Sequence, residues 1–177
     1  LESMRSFEVY RLVPLASTTP EEQRHAIPTR WVETWKGDKV KCRLVAKDLK
    51  VKDLFRDKDE LYAATPAFVT LKVLLTLALA NRWGIWSLDI GTAFLHAKLP
   101  QDKKIFVWPP EDQLQFHGYL WQLEKAMYGL RVAPKSWQEH FAEVLQRHNY
   151  KRGQYEACVF YYDCLLYTSP SPRDGLL

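Results

Sequence analysis

Two kinds of side chain in this sequence have the chemistry to act on something. Asp89 stands near the end of the apolar run IWSLDI, with Gly91 close behind, so a carboxylate sits where a buried strand should finish. On its own such a residue reads as a turn or capping aspartate. The second kind is cationic. In KVKCRLVAK, Lys41, Arg43 and Lys47 fall on one side of an alternating run, and Cys42, Leu44 and Ala46 on the other. A strand built this way can lean on a core while offering cations to phosphates, and it can equally be an edge strand whose lysines deter aggregation. From Arg24 to Lys52 nine Lys or Arg face three acids, Glu33, Asp38 and Asp48. That excess suits a phosphate partner and a solvated face alike.

Other chemistries are absent from the pattern. Cys42, Cys158 and Cys164 form no CxxC pair, and the five histidines form no HExxH, which argues against a disulfide framework or a zinc site. The most apolar run, AFVTLKVLLTLALA, is interrupted by Lys72 and is shorter than the roughly 20 residues a membrane span needs. LESMRSFEVYR has no apolar segment of the signal-peptide kind. An intracellular, cytoplasmic protein without a membrane partner is expected, read as an internal piece of a longer chain.

The elements that must position these groups follow from periodicity. At 177 residues, 47% of them hydrophobic, the chain has material for one domain. RWVETWKGDKVKCRLVAK predicts a β-hairpin turning at Gly37-Asp38. ATPAFVTLKVLLTLALANRWG predicts a helix capped by Thr65, with Pro66 in its first turn and Asn81 to Gly84 ending it. Its apolar residues cover most of the circumference, so burial is expected. IWSLDI and KKIFVW predict strands, the second stopped by Pro109-Pro110, and YLWQLEKAMYGL a strand followed by a turn at Gly129. APKSWQEHFAEVLQRH predicts an amphipathic helix with Trp137, Phe141, Val144, Leu145 and His148 on one face. YEACVFYYD predicts a closing β-rich segment. Without regular βαβ alternation the class is α+β. The final stretch, CLLYTSPSPRDGLL, loses all apolar period. Its first eleven residues are one reading frame of a transposase-type sequencing adapter, so residues 164–177 are expected to be non-native read-through.

Several segments in order resemble the reverse transcriptase of copia-type long-terminal-repeat retrotransposons. They are Lys41 to Lys47, Thr65-Pro66, Leu88 to His96, Ile105 to Pro110, Trp121-Gln122-Leu123 and Met127 to Pro134. The resemblance spans residues 27–163, leaving 1–26 as an N-terminal flank. Asp48 stands where that family usually has Gly, Thr92 where Asn is usual, Ala97 where Gly is usual and Val132 where Gln is usual, the mark of a divergent copy.

The resemblance implies a partial polymerase of the fingers and palm type, truncated within the palm, acting on an RNA or DNA template with primer and on dNTPs. Its other partners would be the remainder of a Pol polyprotein with integrase and RNase H. It further implies catalysis by two Mg²⁺ ions, for which Asp89 matches the first metal-binding aspartate and Ile90 would lend its backbone carbonyl. Lys41 and Arg43 match the strand that contacts the incoming triphosphate, Phe94 the aromatic gate against a ribose 2′-hydroxyl, and Tyr128 and Gly129 the turn beside the nucleotide. Arg131 and Lys135 are candidates for template contact. The family's Tyr-x-Asp-Asp hairpin has no counterpart, since no Asp-Asp pair occurs in the chain, so this polypeptide is expected not to polymerise DNA as it stands. A non-catalytic nucleic-acid-binding module with a basic β-hairpin is the alternative that the residues leave open.

Overall fold

In a computed structural model, residues 1–48, 61–100 and 102–162 are described. The sequence-based expectations for Asp163 and for the adapter-like tail lie outside them. Helices and small antiparallel sheets are mixed, as an α+β chain requires.

The central sheet has three antiparallel strands in the order β1 (Tyr10–Pro14), β5 (Tyr119–Leu123), β4 (Ile105–Val107). Strand β5 lies in the middle because YLWQL is apolar on both sides: Leu120 and Trp121 point to opposite faces and both are fully buried. Strand β1 comes from the stretch set apart as a flank, and it pairs along its whole length from Tyr10↔Leu123 to Pro14↔Tyr119. Tyr10 stacks on Trp121 with ring centroids 3.9 Å apart, and Phe116 meets the same indole edge-on at 5.1 Å. Trp121 Nε1 is buried without a hydrogen-bond partner among the described residues. The opposite face of the sheet is smaller, with Ala26, Phe106 and Leu120 under the end of α2 (Pro20–His25). A capping box starts that helix: Thr19 Oγ1 accepts from Glu22 N–H, and Glu22 accepts from Thr19 N–H.

The hairpin forms as its alternation predicts, from β2 (Thr29–Lys36) and β3 (Lys39–Ala46), with Lys36 paired to Lys39. Gly37 takes φ +61° in the two-residue turn, a conformation glycine adopts at no steric cost. The outer half of the hairpin stands in solvent, and its base, with Leu44 and Ala46 buried, joins the main core. Two side chains fix that base. Thr29 Oγ1 donates to the Trp108 carbonyl at 2.8 Å, and Trp31 Nε1 donates to Asp112 Oδ1 at 3.1 Å. Hydrogen bonds from Gln113 first and then Trp31 hold the Asp112 carboxyl below the ordinary aspartate range.

Helix α4 (Ala133–Arg147) forms as expected, with Trp137 stacked on Phe141 and Ala133, Ser136 and Ala142 buried, whereas His148, expected on the same face, is its exposed C-cap. Its end leads into a small hairpin of β6 (Tyr150–Arg152) and β7 (Phe160–Tyr162).

Three expectations need correction. Helix α3 (Phe68–Ala80) begins at Ala67 as N-cap rather than at Thr65, and no side chain of its own caps it. The missing acceptor arrives from far along the chain. Glu156 Oε2 accepts from Ala67 N–H at 3.2 Å and from Thr70 Oγ1 at 3.3 Å. These bonds, led by Ala67 and followed by Cys158 N–H, pull the Glu156 carboxyl below the ordinary glutamate range. Second, α3 is not buried. Of its thirteen residues only Ala78 is buried, while Phe68 is 69% and Leu79 74% exposed. No other described element packs extensively against it, so its apolar sides stay open. Third, IWSLDI forms no strand. Residues 85–90 are irregular and exposed, Trp86 and Leu88 each to 89%, because no neighbouring strand among the described residues satisfies their backbone groups.

Candidate nucleotide site

Strand β3 ends where the chain has just passed Leu44, and its last residues are gripped by the turn that follows β5. Ala46 N–H donates to the Tyr128 carbonyl at 2.8 Å, and Lys47 N–H to the Pro28 carbonyl at 2.8 Å. Gly129, next in the turn, takes φ +88° and lies so close to β3 that an added Cβ would stand 2.2 Å from the Ala46 carbonyl oxygen. Only glycine lets two backbones approach this far. Asp48 completes the grip, its Oδ2 accepting from Arg131 N–H at 2.9 Å. Aspartate at the position where the resemblance led us to expect glycine thus has a structural role.

This interlock brings the hairpin cations onto the turn. The Arg43 guanidinium lies 5.9 Å from the centre of the Tyr128 ring, and Phe94 meets that ring edge-on at 5.2 Å. A guanidinium over an aromatic face is attracted by the ring quadrupole, by about 0.5–1 kcal/mol at exposed sites. Phe94 belongs to a 3-10 turn, Ala93–His96, entered through Thr92 in the left-handed region (φ +52°). The turn buries Leu95 and leaves Phe94 half-buried toward Tyr128. Lys41, Arg43, Thr92, Leu95 and Tyr128 line one cavity of about 230 Å³, closed on one side by Met4 of the short helix α1 (Glu2–Ser6). That is below the roughly 300–1,000 Å³ of pockets that enclose a drug-sized molecule.

Five of the residues singled out by the sequence are therefore neighbours: Lys41, Arg43, Phe94, Tyr128 and Gly129. Asp89 and Ile90 lie in the exposed segment leading to Gly91 and do not line that cavity. Arg131 is engaged through its backbone with Asp48, and Lys135 sits 3.8 Å from Glu139 one turn along α4. Among the described residues no three His, Cys, Asp or Glu side chains come together as a metal-binding group. Asp89 with the Ile90 carbonyl is one carboxylate and one neutral oxygen, a donor set that does not fit a pair of Mg²⁺ ions. The sequence reading missed the contribution of Asp48 and the close approach of Gly129 to Ala46, which join segments more than eighty residues apart.

The sequence that builds this basic hairpin and aromatic turn has clear relatives. The profile of the family described as "Reverse transcriptase (RNA-dependent DNA polymerase)" matches residues 7–164, so the chain belongs to the reverse transcriptase family. The relatives are retrotransposon polyproteins of the copia type. The chain is 28% identical over 170 residues to the retrovirus-related Pol polyprotein from transposon TNT 1-94 of Nicotiana tabacum, covering 91% of this chain and 12% of that protein. It is 30% identical over 114 residues to the Pol polyprotein from transposon RE1 of Arabidopsis thaliana, covering 61% of this chain and 8% of that one. A transposon Ty5-1 protein of Saccharomyces cerevisiae is 33% identical over 101 residues, 49% of this chain and 32% of its own length. No solved structure matches the chain. The family match takes in β1, which the residue-by-residue resemblance had left out. Among the described residues no helix is long and apolar enough to cross a membrane.

Proposed function

We propose that this chain is the fingers and part of the palm of a retrotransposon RNA-directed DNA polymerase, and that its own contribution is to hold the incoming deoxynucleotide. The observation that carries this is the Arg43–Tyr128–Phe94 cluster, locked in place by the Gly129–Ala46 contact. Each member has a role in such a complex. The Arg43 fork binds phosphate oxygens bidentately, and Lys41 adds a point charge on the same face. Tyr128 holds the guanidinium from below. The Phe94 ring occupies the space that a ribose 2′-hydroxyl would need, which favours deoxyribose.

Asp89 is the proposed metal-binding carboxylate of the complete enzyme, with Ile90 beside it. A single carboxylate leaves a second divalent ion and a triphosphate largely unneutralised, so the chain is expected to bind nucleotide and not to extend a primer. Template and primer would pass near Arg131 and Lys135.

The test is photolabelling with an azido-deoxyadenosine triphosphate, competed by unlabelled dATP and by ATP. The label is expected to fall on the peptides holding Arg43 or Tyr128, and Arg43→Ala should reduce it about tenfold or more, as loss of a charge-assisted hydrogen bond worth about 1.5–3 kcal/mol implies. Phe94→Ala should narrow the preference for dATP over ATP. Labelling that ignores both substitutions refutes the proposal.

A further inference from the structure

A second cationic surface lies elsewhere, in a cleft of about 770 Å³ at the end of the central sheet that shares no residue with the Arg43 cavity. Five cations line it, Arg11, Lys98, Lys103, Lys104 and Lys125, against two carboxylates, Glu8 and Glu124. One of those acids is already engaged, since Arg11 Nε lies 3.2 Å from Glu124. Arg11 is also oriented by Gln122, to whose Oε1 its Nη2 donates at 2.8 Å.

The backbone arranges the lysines in an unusual way. Lys98 and Lys125 are direct partners in an isolated antiparallel bridge, flanked by Leu99 N–H to Glu124 and Ala126 N–H to the Ala97 carbonyl. Like charges directly opposite in a ladder destabilise it. Lys125 is also held in place, its Nζ donating to the Phe7 carbonyl at 2.6 Å. Lys103 and Lys104 then enter from the loop before β4. An anion lying across this bridge would meet positive charge from both strands.

We infer that this cleft is a second binding surface, for the phosphodiester backbone of a single-stranded nucleic acid, separate from the nucleotide site and independent of it. Its chemistry favours a backbone over a nucleotide or a base. The cations are spread along an open cleft, and the one lining aromatic, Tyr10, has its ring stacked on Trp121. Contacts of that kind set position and affinity without reading sequence. Toward α4 the run reaches Lys135, where Asp102 and Glu139 balance the charge and end the track.

The experiment uses the whole chain and a fluorescein-labelled oligodeoxythymidylate of about 20 nucleotides, with anisotropy read between about 50 and 200 mM salt. In Lys98→Gln/Lys103→Gln/Lys104→Gln, three phosphate contacts are lost and the log–log salt slope should shrink by about 2, so the affinity lost across that salt range is roughly 20-fold smaller than in the parent. Lys98→Gln alone should shrink it by about 0.7, which keeps the test usable if the triple variant has an altered circular dichroism spectrum. Lys41→Gln/Arg43→Gln should weaken nucleotide labelling while leaving the contribution of the three lysines in place. Two results overturn the inference: a parental slope in the well-folded lysine variants, or displacement of the oligonucleotide by poly-glutamate as readily as by unlabelled oligonucleotide, which would make the surface a site for acidic protein.

Discussion

Replacing Gly129 by alanine tests whether hairpin and turn are truly interlocked. The new methyl carbon would lie 2.2 Å from the Ala46 oxygen and 2.9 Å from its nitrogen, both backbone atoms that cannot swing aside. The residue would also have to hold φ +88°, which costs an L-residue roughly 1–2 kcal/mol. Relieving the clash means moving β3 off the turn. That breaks the 2.8 Å bond from Ala46 to Tyr128 and strains the 2.9 Å bond from Arg131 to Asp48, a neutral and a charge-assisted bond worth about 1 and about 1.5–3 kcal/mol. Together the substitution should remove roughly 3.5–6 kcal/mol, a large part of the 5–15 kcal/mol typical of a domain. Urea unfolding would report the loss, and the melting temperature should fall by about 10 °C or more. Hydrogen exchange locates it, because the Ala46 amide should lose protection while those of β5 keep theirs. A loss below about 1 kcal/mol with the Ala46 amide still protected would show that the two segments are not coupled as described.

Glu156 should make the start of α3 sensitive to acid. Its carboxyl is held below the ordinary glutamate range by hydrogen bonds, so its stabilising effect is complete above the ordinary value and is lost as pH falls through the lowered one. Circular dichroism should show helix lost in that window, and Glu156→Gln should flatten the profile. Trp121→Ala should cost about 3–5 kcal/mol in urea unfolding, the range for removing a buried indole, whereas Trp121→Phe should cost clearly less because it also removes the unpartnered Nε1 donor.

Local signals were read correctly where they were complete in themselves. The hairpin announces its strands by alternation and its turn by Gly37-Asp38, and α4 carries its own stripe from Trp137 to Phe141. What failed depended on distant partners. IWSLDI has the composition of a strand, but a strand exists only when another supplies its hydrogen bonds. Helix α3 has the apolar content of a core helix, yet burial requires something packed on it. Its N-cap is Ala67, and the acceptor for its first turn is the distant Glu156 carboxylate, which no inspection of Thr65 could reveal. For the site, residue types pointed to Arg43, Tyr128 and Phe94, but the Asp48 carboxylate and the Lys98–Lys125 pairing belong to the tertiary arrangement.

The bare flank of α3 has a practical consequence. A rod of leucine and valine in contact with water, tempered by Lys72 lying 4.7 Å from the Phe68 ring, should make the purified chain behave like a weak surfactant. Hydrophobic resins will retain it, apolar dyes will light up on it while it is still folded, and raising its concentration will drive copies together helix against helix.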